Sequence, residues 1–274
     1  MADSTLNPAE LRDLAVYLSG ASGIELDESK GYLFEARLQH IADEQGCKSL
    51  TQLLDKTRRD ATGKLREVLV DAVTTHETSF FREPQHFDLL AHKLVPDHFE
   101  TTDPKRLRVW CAASSTGQEV YSLVITLKEL LGNLAKYNIQ IVGTDISSNV
   151  LERASRGVYT QLEVSRGLSP DRLKRYFTAK GKEWAILDEL RSVATYQRGN
   201  LLENAPSLGT FDIVLCRNVA IYFSPANRAK MLANIAARLR RGGVLLTSAT
   251  ENLGVRPEPF LRREYRGVCY YERS

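Results

Sequence analysis

No stretch of the sequence approaches the roughly 18 consecutive apolar residues that a bilayer-spanning helix needs. The opening MADSTLNPAEL is polar and carries no apolar signal region. Cysteine is scarce: Cys47, Cys111, Cys216 and Cys269 stand apart without CxxC spacing, which reads as reduced, buried thiols rather than metal ligands. Neither sign of charge dominates. With 37 Lys and Arg against 34 Asp and Glu, the net charge of +3 is too mild for the concentrated basic face of a nucleic-acid binder. The phosphate-cradling patterns GxGxxG and GxxxxGK(S/T) are both missing, which excludes a P-loop kinase or GTPase and counts against an NAD enzyme. These absences point to a soluble, cytoplasmic protein with no metal, no nucleic-acid partner and no direct insertion into membrane, and a monomer is expected.

What is present suffices for a sizeable core, since 274 residues at 43% hydrophobic allow two domains. Residues 1–75 carry only helical patterns. Asn7 is placed to cap a first helix, with Pro8 at its first position, Glu10 in its first turn, and Leu11, Leu14, Ala15 and Leu18 as the apolar stripe. A second helix over about 28–44 turns Leu33, Phe34, Leu38 and Ile41 inward. Lys30, Arg37 and His40 lie along it as a basic strip, either a solvated face or a partner surface. Two more helices are expected at 49–56 and 63–73. The stretch TTHETSFFREPQHF (74–87) is too rich in hydroxyls and aromatics for a plain linker, and Pro84 opens a helix to about Phe99. The expected organisation is an all-helical domain at 1–75, a linker with a connecting helix at 76–100, and an α/β domain at 101–274.

The α/β domain is organised around RLRVWCAASSTGQEVYS, Arg106 to Ser122. A short apolar run reads as a buried strand, breaks into Ala113, Ser114, Ser115, Thr116 and Gly117, and gives way to a helical pattern from Glu119 to Leu131. A second apolar run, 139–144, ends on Asp145, which is placed to accept both hydroxyls of a ribose. Between about 158 and 198 the alternation is interrupted by an inserted antiparallel β-subdomain. Its hairpin is expected from 184–187 and 192–196 around Asp188-Glu189. The continuous apolar run 211–216 then marks a central parallel strand, followed by a helix from Ser224-Pro225 to about Leu239. Arg241-Gly242-Gly243 reads as a sharp turn into a strand at 244–248, and 263–272 as a hairpin around Gly267. That closing pair gives the sheet an antiparallel edge.

A nucleoside cofactor without phosphates needs no glycine-rich loop. S-adenosylmethionine fits the pattern, with its ribose for Asp145 and an amino-acid tail for polar groups such as Glu119 and Arg82. An antiparallel closing pair also suits a methyltransferase sheet better than a dehydrogenase one.

Four segments in this order, THETSFFRE (75–83), WCAASSTGQEVYS (110–122), GTDIS (143–147) and CRNVAIYF (216–223), closely resemble the CheR family of chemotaxis receptor methyltransferases. The resemblance covers essentially the whole chain. It implies a Rossmann-like S-adenosylmethionine-dependent methyltransferase sheet with an antiparallel edge, a small inserted antiparallel β-subdomain and an all-α N-terminal domain. It also implies methyl transfer from S-adenosylmethionine to glutamates in the cytoplasmic helices of chemoreceptors, giving glutamate methyl esters, with recruitment to membrane-bound receptor arrays. By motif, His76, Thr78 and Arg82 would line the cofactor and acceptor side. Glu119 would hold the cofactor's methionine part and Asp145 its ribose, with Asn200 and Leu201 bordering the adenine. Arg217 and Asn218 would close the pocket, and Tyr222 would face the methyl, so Arg82 and Tyr222 are the catalytic candidates. His76 stands where the family commonly has asparagine, and Val120 where it has proline. Plainer readings exist for each: Asp145 as a helix cap, Glu119 as a first-turn acid favoured by the helix dipole, Tyr222 as core, and Arg82 as half of an ion pair. Other activities compatible with the residues are methylation of RNA or a small molecule, and non-catalytic cofactor sensing by a receptor-docking protein. In some family members a receptor tether peptide docks on the inserted sheet. The short, glycine-poor hairpin expected around Asp188 argues that none is needed here.

Overall fold

The computed structural model describes residues 7–26, 31–102, 104–204, 208–251, 253 and 259–274. The chain divides into two units, 1–75 with 222–227 and 76–221 with 228–274.

The first unit is helical: α1 (Pro8–Ser22), α2 (Gly31–Glu44), α3 (Leu50–Arg59) and α4 (Lys64–Val73). The Asn7 side chain accepts from the Ala9 and Glu10 amides at 3.0 Å, and Glu10 accepts in return from the Asn7 amide. Such a capping box contributes about 1 kcal/mol. Leu14, Leu18, Phe34, Leu38, Leu53 and Leu69 form the core. Arg37 belongs to that architecture rather than to a free basic strip: its Nη1 donates to the Val73 carbonyl (2.9 Å) at the end of α4. Lys30, the other cation expected there, lies outside the described residues. The segment 222–227 joins this unit through an antiparallel bridge between Ile24 and Phe223 and the Glu25 amide donating to the Tyr222 carbonyl.

The second unit opens with α5 (Pro84–Leu89), a π-helical turn (Leu90–Leu94) and α6 (Val95–Thr101). One continuous helix was the expectation. Pro96 has no N–H to donate and crowds the carbonyl four residues back, and the Val95 amide instead reaches the Leu90 carbonyl in the wider turn. Then come β1 (Arg106–Ala112), α7 (Gln118–Leu131), β2 (Asn138–Asp145) and α8 (Ser148–Arg156). The insert follows: β3 (Val158–Thr160), α9 (Gln161–Ser165), α10 (Pro170–Tyr176), β4 (Phe177–Lys180), β5 (Glu183–Ile186) and α11 (Asp188–Arg191). The chain closes with β6 (Ala194–Arg198), β7 (Phe211–Cys216), α12 (Pro225–Arg238), β8 (Leu239–Leu246), β9 (Phe260–Tyr265) and β10 (Val268–Arg273). The main sheet runs β6-β2-β1-β7-β8-β10-β9, with β10 antiparallel to both β8 and β9. The expected Rossmann-like sheet with an antiparallel edge is therefore present. Every residue of β7 is buried, as expected of a strand covered on both faces.

Two details differ from expectation. The Arg241-Gly242-Gly243 turn lies inside β8 as a register shift, with Phe211 opposite Leu239 but Ile213 opposite Val244. The insert's hairpin is β4–β5, turning at Gly181, with β3 on the other side of β5. Asp188–Arg191 is helical, and 194–198 pairs parallel with β2 at the edge of the main sheet. A half-exposed edge strand has the same polar alternation as a free hairpin strand, which explains the misreading. The hairpin around Asp188 from which the expectation of no receptor tether was argued is therefore not formed.

Candidate cofactor and acceptor site

The carboxyl ends of β1, β2, β7 and β8 lie side by side, the position at which open α/β sheets bind ligands. β1 gives way to Ala113 and Ser115 with φ of 63° and 47°, a tight turn of small residues leading into α7. Gly117 (φ 92°) completes it, because a Cβ there would meet the Ala154 Cβ at 2.9 Å and the Tyr196 hydroxyl at 3.0 Å.

Asp145, 7% exposed at the tip of β2, accepts the Ser115 amide on Oδ2 (2.9 Å) and the Ser147 amide on Oδ1 (3.1 Å). Burial raises its pKa, while those two N–H groups pull it back. It thus braces the β1 loop from the tip of β2. The helix cap is Ser147, whose hydroxyl accepts the Val150 amide. His76 is half-buried, and its carbonyl accepts the Ser115 hydroxyl (2.9 Å), which joins the 76–83 segment to the same loop; Thr78 is half-buried on that segment. The Gly199 amide donates to the Asp145 carbonyl (2.9 Å), bringing the turn with Asn200 and the buried Leu201 beside Asp145. Asn200 Oδ1 accepts the Leu202 amide (3.0 Å), and the Leu201 carbonyl accepts from Asn234 (2.9 Å).

The second half of the site is an ion cluster. Arg217, just past β7, donates from Nη1 to Glu119 (2.8 Å) and from Nη2 to Glu83 (2.8 Å) and to the Arg82 carbonyl. Glu119 stands in the first turn of α7. Its burial raises its pKa, Arg217 opposes the rise, and Glu251 and Glu83 add to it. Burial alone would raise Glu83 too, but the Ala249 amide, Arg217 and the Ser248 hydroxyl hold its carboxyl below the usual range. Glu251 accepts four backbone amides, from Asn218 (2.8 Å), Val219 (2.8 Å), Ala220 (2.8 Å) and Ser248 (3.0 Å), and so ties the β7 and β8 loops together. Phe81, Glu83 and Asn218 all hold positive φ (49°, 56° and 59°), each costing about 1–3 kcal/mol that the surrounding contacts offset.

Arg82 sits half-buried between Phe81 and Glu83, and its Nη1 donates to the Glu77 carbonyl (3.2 Å). No ion pair to it occurs among the described residues. Nine of the ten candidates, His76, Thr78, Arg82, Glu119, Asp145, Asn200, Leu201, Arg217 and Asn218, therefore fall in one unit. Tyr222 falls in the helical unit. Sequence reading gave no role to Glu83, His86 or Glu251. Glu83 ends a motif already singled out, and Ser248-Ala249-Thr250-Glu251 has the S-x-x-E spacing of a capping box without a helix behind it.

The cluster sets three carboxylates against one guanidinium, an excess of negative charge suited to a ligand carrying a sulfonium and an ammonium. Asp145, a buried carboxylate at the strand tip, suits a ribose, so the residues fit S-adenosylmethionine.

Comparison with known proteins agrees. Residues 9–74 match the family model described as CheR methyltransferase, all-alpha domain, and residues 76–266 match that of the CheR methyltransferase, SAM binding domain. The chain is 41% identical to chemotaxis protein methyltransferase Cher2 of Pseudomonas putida, over 92% of this chain and 93% of that protein. Identity to chemotaxis protein methyltransferase 1 of Vibrio cholerae is 38%, over 92% of each chain. Fold and matches together define a methyltransferase with a SAM-binding domain. The chain belongs to the CheR methyltransferase family. Among the described residues no helix is long and apolar enough to cross a membrane, and no group of three or more His, Cys, Asp or Glu is placed to hold a metal ion.

Proposed function

We propose that the protein transfers a methyl group from S-adenosylmethionine to glutamate side chains in the cytoplasmic domains of chemoreceptors, forming glutamate methyl esters in chemotactic adaptation. The observation that carries this reading is the contrast between two arginines at one site. Arg217 is consumed by Glu83 and Glu119, whereas the Arg82 guanidinium bonds a backbone carbonyl and keeps donors for an incoming carboxylate.

When bound, S-adenosylmethionine supplies a methyl group activated by an adjacent sulfonium. Asp145 would take the ribose hydroxyls, Glu119 the methionine end, and Asn200 with Leu201 the adenine; His76, Thr78 and Asn218 border the pocket. A glutamate side chain, with an ordinary pKa near 4.3, is already an anion at neutral pH, so the protein has no proton to remove. Its task is alignment, which in favourable cases is worth roughly 7–11 kcal/mol of the barrier. Arg82 does this through its planar fork, which holds a carboxylate bidentately. The protein acts in the cytoplasm, recruited to receptor arrays.

The test is incubation with methyl-labelled S-adenosylmethionine and a panel of receptor cytoplasmic fragments. Label entering receptor protein and released as methanol by mild base supports the proposal. Label entering RNA or small molecules instead refutes it.

A further inference from the structure

The turn that presents Arg82 is held from outside by the inserted subdomain. The Arg172 guanidinium, on α10, lies 3.9 Å from the centroid of the Phe81 ring. The same group grips Glu129 with two parallel bonds, Nε to Oε1 at 3.0 Å and Nη2 to Oε2 at 2.8 Å. Glu129 is on α7, the helix whose first turn carries Glu119. The fork therefore fixes the height of the guanidinium over the ring, and the ring fixes a residue at φ 49°. The Phe81 amide donates to the Ser122 hydroxyl (2.8 Å), again on α7. Phe80, one residue earlier, is boxed edge-on by Tyr159 (4.9 Å) and Phe177 (5.5 Å). Gly167 of the insert packs so closely that a Cβ there would come within 1.8 Å of the Phe80 carbonyl oxygen. The Arg172–Glu129 pair is about one-third exposed, and exposed pairs of this kind contribute little to global stability. Its consequence is local.

We propose that Arg172 is a positioning residue for the methyl transfer. By capping the Phe81 ring while anchored to Glu129, it holds the Phe81–Glu83 turn in the strained conformation that presents Arg82 to the acceptor. The inference rests on the transfer reaction proposed above.

The experiment compares wild type, Arg172→Ala, Arg172→Lys, Phe81→Leu and the Arg172→Ala/Phe81→Leu double variant. For Arg172→Ala, kcat should fall about tenfold, while calorimetric affinity for S-adenosylhomocysteine and the melting temperature barely change. Hydrogen exchange at the Phe81 amide, measured on the cofactor-free protein, should speed up about tenfold with the same substitution. Arg172→Lys, which keeps a cation near the ring but loses the fork, should fall between. The double variant should be no worse than the poorer single one, because both changes break the same link. Unchanged kcat, unchanged amide protection, or losses that simply multiply would each overturn the proposal. If wild type labels no receptor, the function reading fails by itself, and the amide measurement still decides whether Arg172 holds the turn.

Discussion

The Arg217 guanidinium meets the Glu119 carboxylate at 2.8 Å, with side chains 2% and 14% exposed. Two residues 98 positions apart thus close a buried charge pair at the carboxyl edge of the sheet. With Glu83 on the second nitrogen, one cation serves two acids.

Removing that cation should be costly. Arg217→Gln leaves Glu83 and Glu119 buried without their partner, and breaking a buried pair in this way costs about 3–5 kcal/mol. Urea denaturation should show the midpoint falling with an unchanged slope. A midpoint within error of wild type would mean that solvent reaches the cluster.

Asp145→Ala should impair the cofactor, alongside a stability cost of about 1–3 kcal/mol for the buried Ser115 and Ser147 amides left without their acceptor. The lost hydroxyl contacts correspond to roughly tenfold or more in affinity for S-adenosylhomocysteine by calorimetry. Unchanged affinity would remove Asp145 from the ribose and leave it as a brace for Ser115 and Ser147.

Arg82→Ala should act the other way. We expect kcat/KM for receptor to drop about 10- to 100-fold, the worth of one or two charge-assisted hydrogen bonds, with cofactor affinity changed far less. Equal loss of both would place Arg82 on the cofactor.

His86 makes stability depend on pH. It is 2% exposed, and burial, helped by the Arg217 charge and opposed by Glu83, lowers its pKa from 6.5 to about 4. The folded protein favours the neutral ring, so this contribution is complete above the unfolded value of 6.5 and is lost as pH falls towards 4. The shift corresponds to roughly 3 kcal/mol. Denaturation of wild type and His86→Gln at neutral pH and near pH 4 checks it: the wild type should lose more stability on acidification. Parallel losses would exclude His86.

Much of this was legible in the sequence because it is local. The α1 cap is set by Asn7, Pro8 and Glu10 within four positions, and the β7 run announces a central strand by apolarity alone. The places of Asp145 at a strand tip and Glu119 at a helix start were legible. Non-local features were not. Glu83 acquires its role from an arginine 134 positions away, and Glu251 from amides over 30 positions back. β6 shows the same limit, since nothing in ATYQR says whether it pairs with its neighbour in sequence or with β2. Arg37 reads as a surface cation in the sequence, yet its guanidinium bonds carbonyls at the end of α4.

The most direct measurement is tandem mass spectrometry of a receptor cytoplasmic fragment after incubation with the protein and S-adenosylmethionine. The account predicts a gain of one CH2 on glutamate side chains, removed by mild alkali and formed far more slowly with Arg82→Ala. No gain, or a methyl found on lysine, arginine or any non-protein acceptor in its place, would contradict it.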